Sequence, residues 1–342
     1  MPTPVVIATL GRRHIENVKE LVKLCEGGAD WLRINMSHTN AEEAEDVVGW
    51  VRRRYPKVKL LQDLQGPKLR VGKMRTEVRV KGGDELVLCP QPVYDKVSPR
   101  DRERQKVVPV ATPFPFERLG TVPVIRLKDG EMELRVERYI AEEQLVVCDV
   151  VAGGVVRSEK GMNAPGVDRS GMGLQARDMA DIRLGARLRF DAVCASFVTG
   201  RAELDATREL AAKTAPDWKP AIWAKVECKE AMDALEEIVA ACDAVLIGRG
   251  DLAAELGGDE DDVHDAALSI ARKVVGWKRT CHVGTKLLES MRTATTPSEA
   301  EVEALGDYLR AGVVGYLLTA ETSVGDHPVE AIAVVRKVAA KG

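Results

Sequence analysis

The stretch Ala221-Ile222-Trp223-Ala224-Lys225-Val226-Glu227 has the pattern of a buried β-strand whose last residues turn polar. Successive side chains of a strand point to opposite faces, so Lys225 and Glu227 share one face. A lysine and a glutamate at the end of an apolar strand cost desolvation energy unless something uses them. The stretch by itself leaves two interpretations open: an internal ion pair or polar plug, and a functional site.

The segments on both sides of this strand alternate between strand and helix patterns. The predicted strands span residues 5–10, 31–36, 59–64, 192–197, 221–227, 244–248, 280–284 and 314–319. A helical pattern follows each strand, in one case after an insert, and such alternation implies a parallel sheet. Eight strand–helix units in about 250 residues match a (β/α)₈ barrel. The predicted fold class is therefore α/β, a (β/α)₈ TIM barrel with an inserted domain.

The insert is marked by a change to short alternating runs between residues 71 and 158. Glu85-Leu86-Val87-Leu88 and Leu145-Val146-Val147-Cys148 are such runs, and turn signals such as Gly82-Gly83-Asp84 separate them. This pattern predicts a small all-β barrel domain. We expect residues 1–70 and 159–342 to form the main barrel and residues 71–158 to form the inserted domain.

Composition excludes several classes of protein. The 342 residues carry a formal net charge of −3 with a pI near 6.1, so nothing favours nucleic acid or an anionic membrane as a partner. The seven cysteines are scattered without a Cys-x-x-Cys motif, which argues against a disulfide framework. No signal-peptide pattern and no apolar run of membrane-spanning length is present in the sequence. We expect a soluble, cytoplasmic protein.

Polar residues stand at the end of nearly every predicted strand, where the catalytic groups of such barrels lie. The set comprises Thr9, Arg33, Asn35, Ser37, Asp63, Lys68, Ser196, Lys225, Glu227, Arg249, Asp251, Thr285, Lys286, Thr319, Glu321 and Thr322. A merely solvated rim would favour exposed lysine and glutamate over asparagine, serine, threonine and arginine. We therefore interpret the set as one functional site.

Glu227 and Asp251 leave adjacent predicted strands. Two carboxylates about 4 Å apart repel by about 4 kcal/mol at an effective dielectric constant near 20, so both stay ionised only beside a cation. Few oxygen ligands, with room for water and substrate oxygens, suit Mg²⁺ or Mn²⁺. An alternative role for Asp251 is the N-cap of the next helix. A divalent cation ringed by basic residues such as Arg33, Arg70 and Lys225 is an arrangement for phosphoryl groups.

Several of these stretches together resemble the pyruvate kinase family. They are Ala8-Thr9-Leu10-Gly11, Arg33-Ile34-Asn35-Met36-Ser37-His38, Asp63-Leu64-Gln65-Gly66-Pro67-Lys68-Leu69-Arg70, Lys160-Gly161-Met162-Asn163, Ala195-Ser196-Phe197, Lys225-Val226-Glu227, Gly248-Arg249-Gly250-Asp251-Leu252, Thr285-Lys286-Leu287-Leu288-Glu289-Ser290-Met291 and Ala320-Glu321-Thr322. The match runs in order across almost the whole chain. The insert falls where that family has its mobile lid.

The resemblance implies a set of catalytic roles. Glu227 and Asp251 would hold Mg²⁺ or Mn²⁺, and the backbone near Gly250 and Asp251 would receive the carboxylate of phosphoenolpyruvate. Lys225 would steady the phosphoryl group in transfer and the developing enolate. Thr285 would border the face on which the enolate is protonated. The implied reaction moves phosphate between phosphoenolpyruvate and ADP, giving pyruvate and ATP.

The same resemblance assigns the phosphate side to Arg33 and Arg70, with Lys160 reaching in from the boundary of the lid. It also implies a monovalent-cation site formed by Asn35, Ser37, Asp63 and Leu64.

Lys68 follows this cation site on the same loop, and in the resembling family a lysine at its position accompanies independence from K⁺. We expect the Lys68 ammonium to lie in the pocket of Asn35, Ser37 and Asp63 in place of K⁺. The alternative is a solvated loop lysine.

Departures from the family pattern concentrate at the nucleotide end. They comprise Arg12-Arg13-His14 for the usual Pro-Ala-Ser, Thr199 for an arginine, Cys228 for an asparagine, Lys286 for a glutamine and Thr319-Ala320 for Ser-Gly. The family's C-terminal effector domain has no counterpart before Gly342, so the resemblance implies a C-terminally truncated member, with a homo-oligomer through the barrel left open.

Three functional hypotheses follow. The first is a pyruvate kinase-like phosphotransferase. The second is a Mg²⁺-dependent enzyme of the same barrel, acting on a related enol phosphate or 2-oxo acid with a different acceptor or none. The third is a non-catalytic ligand sensor, which the joint presence of Lys225, Glu227, Asp251 and Thr285 argues against.

Overall fold

Eight short apolar segments close into a barrel of parallel strands in a computed structural model that describes residues 3–112, 114–169 and 171–341. Strands and helices are numbered in chain order through the whole molecule. The barrel strands are β1 (Val5–Thr9), β2 (Trp31–Asn35), β3 (Lys59–Asp63), β13 (Ala192–Ala195), β14 (Ala221–Val226), β15 (Ala244–Gly248), β16 (Thr280–Gly284) and β17 (Gly315–Leu318). Their order around the ring is β1-β17-β16-β15-β14-β13-β3-β2. The ring closes where Val5 of β1 pairs with Gly315 of β17. The predicted fold class is confirmed.

Helices surround the barrel and also occur in the insert. They are α1 (Arg12–Glu16), α2 (Val18–Glu26), α3 (Ala41–Arg54), α4 (Gln91–Lys96), α5 (Pro99–Arg104), α6 (Ala176–Leu188), α7 (Arg201–Thr214), α8 (Lys229–Asp233), α9 (Leu235–Ala241), α10 (Arg249–Leu256), α11 (Glu260–Gly276), α12 (Glu299–Arg310), α13 (Ala320–Ser323) and α14 (Pro328–Lys341). In the described part of the chain, 3₁₀ turns span Phe116–Thr121, Lys128–Gly130 and Glu289–Arg292.

Helix α3 illustrates how the outer layer forms. Asn40 caps its first turn by accepting a hydrogen bond from the Glu43 N–H, and the Glu43 carboxylate accepts one from the Asn40 N–H. Val47 and Val51, four residues apart, lie buried on the face toward the sheet. Full burial of each valine stabilises the fold by about 1.5–3 kcal/mol. Helix and strand thus share one apolar layer outside the ring.

A second core fills the inside of the barrel. Ile7, Leu61, Cys194, Trp223 and Leu246 are buried there, on the opposite strand faces from the outer core. Strands buried on both faces explain why the barrel segments read as nearly continuous apolar runs.

The insert forms a second, smaller barrel-like sheet. Its strands are β4 (Arg70–Val71), β6 (Glu85–Pro90), β7 (Val107–Ala111), β8 (Val124–Leu127), β9 (Met132–Ile140), β10 (Leu145–Ala152) and β12 (Met162–Asn163), while β5 (Val78–Val80) pairs separately with β11 (Gly154–Val156). The sheet order is β12-β8-β9-β10-β6-β7-β4. Helices α4 and α5 were not expected in the insert, although Ser98 caps α5 and Pro99 begins it.

The chain segments that enter and leave the insert pair with each other. The Val71 N–H donates to the Lys160 carbonyl at 2.8 Å, and the Met162 N–H donates to the Leu69 carbonyl at 2.9 Å. This pairing joins the ends of the seven-stranded sheet. The sheet therefore reaches slightly beyond the predicted limits of 71 and 158, and those domain limits stay a prediction.

The second sheet also contacts the main barrel beside its carboxyl edge. The Arg126 guanidinium of β8 donates to the Ala254 carbonyl of α10 at 2.9 Å and pairs with Glu133 at 3.0 Å. Gly257 ends α10 in the left-handed region at φ +74°, and a Cβ there would meet that guanidinium at 2.3 Å. The insert therefore docks on the helix that begins at Arg249.

No helix among the described residues combines the length and the apolar character needed to cross a membrane.

One buried histidine makes the fold sensitive to acid. His282 in β16 stacks on Trp223 with ring centroids 4.4 Å apart, and its Nδ1 has no hydrogen-bond partner among the described residues. Burial lowers the pKa of His282 from 6.5 to about 4. The unfolded chain therefore takes up a proton at a higher pH than the folded protein. The stability that the neutral ring contributes is complete above about pH 6.5 and is lost as the pH falls toward 4.

We expect His282→Phe to lose less free energy of unfolding between pH 7 and pH 4.5 than the unmodified protein, by up to roughly 3 kcal/mol. Urea unfolding at several pH values measures the difference. His327→Gln, at a partly exposed histidine, is the matched control. An unchanged pH dependence in His282→Phe would contradict the argument.

Candidate active site

A fully buried carboxylate, Asp63, lies at the carboxyl end of β3. The Lys225 ammonium lies 3.0 and 3.1 Å from its two oxygens, and the Arg33 Nε donates to it at 2.6 Å. The Ser196 hydroxyl donates to the same carboxylate at 3.0 Å. Asp63 therefore connects the ends of β2, β13 and β14 with its own strand.

Charge pairing decides the protonation states in this cluster. Burial alone would raise the pKa of Asp63, but Arg33 and Lys225 outweigh burial and lower it. Burial alone would lower the pKa of Lys225, but Asp63 and Glu227 raise it well above its usual range. At neutral pH the site thus holds an ionised Asp63 and a fixed ammonium at Lys225.

Glu227 follows β14 and is also buried. Its Oε1 lies 3.5 Å from the Lys225 Nζ, and its Oε2 accepts a hydrogen bond from the Phe197 N–H at 3.2 Å. Burial raises the pKa of Glu227 to about 7 with help from the charge of Asp251, although Lys225 opposes the shift. Neighbouring cations therefore balance the negative charge of Glu227 less fully than that of Asp63.

Asp251 lies in the first turn of α10 and forms an ion pair with Lys68, not with Lys225. The Lys68 ammonium lies 2.7 and 2.8 Å from its two oxygens. Burial alone would raise the pKa of Asp251, but Lys68 outweighs burial and lowers it. Gly248 stands at the N-cap position of this helix, so the alternative role of Asp251 as N-cap is not observed.

Lys68 therefore does not make the contact that the sequence predicted. The predicted pocket is occupied by the protein's own groups, because Asp63 already holds Arg33 and Lys225, and the Asn35 oxygen accepts from the Ser37 N–H at 3.1 Å. The carbonyl oxygen of the fourth predicted member, Leu64, lies 2.7 Å from the Ser196 hydroxyl and shares its one proton with Asp63. The long lysine side chain instead pairs with Asp251, which forms no other ion pair among the described residues.

A hydrogen-bonded network behind Asp251 was not anticipated from the sequence. Asn163 of β12 donates to Glu255 at 3.1 Å and lies 3.4 Å from an Asp251 oxygen. Arg169 pairs with Glu255 at 2.7 Å and with Glu230 at 2.9 Å. Asn163 belongs to one of the motifs quoted above, but no feature of the sequence connects Arg169 with Glu255. The network joins the end of the insert to α10.

Thr285 and Gly250, predicted to serve the substrate, contact each other directly. The Thr285 hydroxyl accepts the Gly250 N–H at 2.6 Å, so its own proton is free to point elsewhere. Thr285 and Lys286 adopt positive φ angles of 68° and 52°. Such a conformation in a β-branched residue costs about 1–3 kcal/mol and persists only where surrounding contacts impose it.

Buried Glu321 supplies those contacts. Its Oε1 accepts the N–H groups of Leu287 and Leu288, both at 3.1 Å, and its Oε2 accepts that of Thr319 at 2.7 Å. Glu321 therefore holds the turn that presents Thr285. The sequence placed Glu321 at a strand end without indicating this supporting role.

Two of the cavities among the described residues at this edge of the barrel contain predicted phosphate-side residues. One of about 490 Å³ lies at the ends of β1, β2 and β17 and includes Arg12, Arg33 and Asn35 in its lining. The other, of about 440 Å³, lies between the two barrels and includes Ser37 and Arg70. The predicted phosphate-side residues Arg33 and Arg70 thus line different cavities.

Lys160 lies on the segment that leaves the insert, with its side chain exposed. Burial lowers the pKa of His38, and the charges of Arg70, Arg33, Lys160 and Lys68 lower it further. Positive charges from the linings of both cavities therefore act together to lower the pKa of His38.

The three residues that depart from the family pattern near β1 have separate roles. Arg13 donates to the carbonyls of Thr322 at 2.9 Å and Gly325 at 2.6 Å. His14 is buried, and its Nδ1 accepts the Gly11 N–H at 3.0 Å. Only Arg12 remains largely exposed at the larger cavity, where it pairs with Glu43.

The other departures have local partners. Thr199 donates to Glu203 at 2.7 Å, and Cys228 is buried. The Lys286 carbonyl accepts from Arg249 at 2.8 Å.

Fold and site together define a class: a (β/α)₈-barrel protein with an inserted β-barrel, whose carboxyl edge gathers buried carboxylates and cations. The profile of the family described as "Pyruvate kinase, barrel domain" matches residues 2–332. The chain therefore belongs to the pyruvate kinase family, and the resemblance seen in its motifs is confirmed.

Three curated relatives show the extent of the similarity. Pyruvate kinase 2 of Synechocystis sp. is 29% identical over 345 residues, covering 98% of this chain and 56% of that protein. Pyruvate kinase of Corynebacterium glutamicum is 31% identical over 328 residues, covering 94% and 66%. Pyruvate kinase of Geobacillus stearothermophilus is 29% identical over 342 residues, covering 98% and 56%. The chain thus spans less than two thirds of the length of these relatives.

The position of Glu227 depends on the absence of a side chain at Gly248. A Cβ at Gly248 would lie 2.7 Å from both Cγ and Oε1 of Glu227. We expect Gly248→Ala to lower the free energy of unfolding by about 1–3 kcal/mol, because the buried carboxylate must move. Urea unfolding measures the loss.

Gly276→Ala is the matched control, since a Cβ at that helical position meets nothing within 4 Å. It should be neutral or slightly stabilising. Equal stability of Gly248→Ala and the unmodified protein would show that the packing against Glu227 is not constraining.

Proposed function

We propose that the protein is a pyruvate kinase-like phosphotransferase that moves a phosphoryl group between phosphoenolpyruvate and ADP, giving pyruvate and ATP. The observation that carries the proposal is the pair Glu227 and Asp251, set beside the ammonium groups of Lys225 and Lys68 in a barrel of this family. A coupled assay of pyruvate release from phosphoenolpyruvate, with and without ADP and Mg²⁺, tests it directly.

The carboxylates present fit a divalent cation. Glu227 and Asp251 follow the adjacent strands β14 and β15, and the charge of Asp251 helps raise the pKa of Glu227. Asp251 already binds one cation, the ammonium group of Lys68. Among the described residues no group of three or more His, Cys, Asp and Glu side chains is arranged around a metal position. Two carboxylates with water and substrate oxygens are an ordinary ligand set for Mg²⁺. When bound, Mg²⁺ or Mn²⁺ would supply positive charge to the phosphoryl oxygens.

Lys225 acts in this proposal as a fixed positive charge. Its raised pKa and its contacts with Asp63 keep the ammonium protonated and oriented. Preorganised charge in a dry site stabilises negative charge that develops during reaction. Lys225 would therefore steady the phosphoryl group in transfer and the enolate, and it would not serve as the proton donor.

The chemical step breaks the bond between phosphorus and the enol oxygen as a bond to the terminal phosphate oxygen of ADP forms. The enolate then takes up a proton at its methylene carbon, which gives pyruvate. Thr285 is suited to the protonation side, because its oxygen accepts from Gly250 and its own proton stays available. The Asp251 N–H, in the first turn of α10, would receive the substrate carboxylate, and the Gly250 N–H would join it by turning from the Thr285 hydroxyl to that carboxylate.

The phosphate groups would lie against the basic residues of the two cavities. Arg33 is held in place by Asp63, and Arg70 by the Glu159 carbonyl at 3.2 Å. Lys160 is exposed on the segment that leaves the insert, and in this proposal its side chain reaches inward to the phosphate groups. The 490 Å³ cavity offers room for the nucleotide.

A second candidate keeps the barrel and the divalent cation but uses a related enol phosphate or 2-oxo acid, with another acceptor or none. The observation that favours it is Arg12, which brings an added charge into the lining of the 490 Å³ cavity. Pyruvate release that proceeds without ADP would support this candidate over the first.

The proposal also covers location and partners. All seven cysteines are free, in keeping with a reducing compartment, and we propose the cytoplasm. Nucleic acid and membranes are not among the proposed partners, and a homo-oligomer through the barrel stays open.

We expect Glu227→Gln and Asp251→Asn each to abolish turnover while leaving the fold intact, because each removes an anionic ligand but keeps the shape of the side chain. Pyruvate release at saturating substrate and Mg²⁺ measures the loss, and circular dichroism checks the fold. Glu209→Gln, on the exposed face of α7, is the control. Full activity in either site variant would remove the metal assignment.

We also propose that K⁺ is not required. Asp63 supports this proposal, because Arg33 and Lys225 already balance its charge, while Lys68 pairs with Asp251. Activity should be comparable in Na⁺, K⁺ and tetramethylammonium buffers of equal ionic strength. Strong stimulation by K⁺ alone would refute the proposal.

A further inference from the structure

We propose that Lys68 is a tethered cation that competes with the divalent metal for Asp251, so that metal binding requires the release of this lysine. The inference rests on the proposed metal role of Glu227 and Asp251 and adds a residue that opposes it. The inference is based on the position of the Lys68 ammonium group at the Asp251 carboxylate.

The first observation is the geometry of the pair. Lys68 Nζ lies 2.7 and 2.8 Å from the two oxygens of Asp251, so it contacts both atoms that a metal would use. Its positive charge also acts on Glu227. The ammonium thus contacts Asp251 directly and acts on Glu227 through its charge.

The second observation is that the surroundings hold the ammonium there. The side chains of Lys68 and Asp251 are only 19% and 16% exposed. The Phe197 ring centroid lies 5.5 Å from Nζ, close enough for a cation–π contact. A Cβ at Gly161 would come within 2.9 Å of the Lys68 Cε, so the glycine leaves the path of the side chain open.

Lys68 and a divalent cation compete for Asp251 because the carboxylate has room for only one of them and because their positive charges repel. Asp251 has little exposure left on which a second cation could bind while Lys68 remains, and two cations on one carboxylate repel each other. Because the lysine is attached to the chain, it occupies the site without the entropy cost of binding from solution. A divalent cation must therefore displace it, and its affinity is reduced by the strength of that contact.

The test measures Mn²⁺ binding itself, by electron paramagnetic resonance of free Mn²⁺ and by calorimetry, in the full chain without substrate. We expect Lys68→Met to bind Mn²⁺ about tenfold or more tightly than the unmodified protein, since a charge-assisted contact no longer has to break. Lys68→Arg, which keeps a cation at the carboxylate, should bind as weakly as the unmodified protein.

Lys73→Met is the matched control. It removes one positive charge from the lining of the 440 Å³ cavity, and Lys73 pairs with neither carboxylate among the described residues. Its Mn²⁺ affinity should change less than threefold. If both Lys→Met variants gain affinity equally, the effect is general electrostatics and the inference fails.

A second measurement uses the unmodified chain and does not depend on a variant folding. Reductive methylation of lysines, followed by mass spectrometry of the peptide that contains Lys68, should speed up several-fold when Mn²⁺ is added. An unchanged or slower rate overturns the inference, as does equal Mn²⁺ binding by Lys68→Met and the unmodified protein. Absence of Mn²⁺ binding in every variant overturns both the inference and the metal assignment.

Discussion

The carboxyl edge of the barrel depends on one buried charge, the carboxylate of Asp63. An unpaired ion at such a position costs several kcal/mol, and the cost is offset only by close partners with good geometry. Arg33 and Lys225 come from the strands β2 and β14, and Ser196 follows β13. Since three other strand ends meet on this side chain, Asp63 fixes where the Lys225 ammonium lies and therefore what Glu227 faces.

Further charged residues extend outward from that centre, and two of them are acids that follow one another. Asp63 is followed by Lys225, then by Glu227, and Asp251 closes the series with Lys68 upon it. Glu227 is the least balanced of the three acids, and its raised pKa reflects that position. The charge of Glu227 is only partly balanced, and Asp251 is a second acid close to it, so the site attracts cations. This attraction is the physical basis of the proposed chemistry.

The sequence predicted the barrel, the insert and the gathering of polar groups at one edge, because strand–helix alternation and strand direction follow from residue periodicity. It could not decide which acid a lysine would reach. Lys68 has a long, flexible side chain, and loop position alone did not separate Asp63 from Asp251 as its partner. The pair Arg169–Glu255 was missed for a related reason, since its two members lie far apart in sequence and share no motif.

The pairing of the two segments that connect the barrels bears on how the chain folds. Strands β3 and β13 are neighbours in the ring, yet the insert separates them in sequence. Closing a disordered loop of about a hundred residues costs on the order of 4 kcal/mol in chain entropy. Once the insert has folded, the hydrogen bonds of Val71 and Met162 hold its two ends side by side. The pairing of β3 with β13 then closes a much shorter flexible loop than their separation in sequence suggests. The folded insert thus lowers the entropy cost of closing the main barrel.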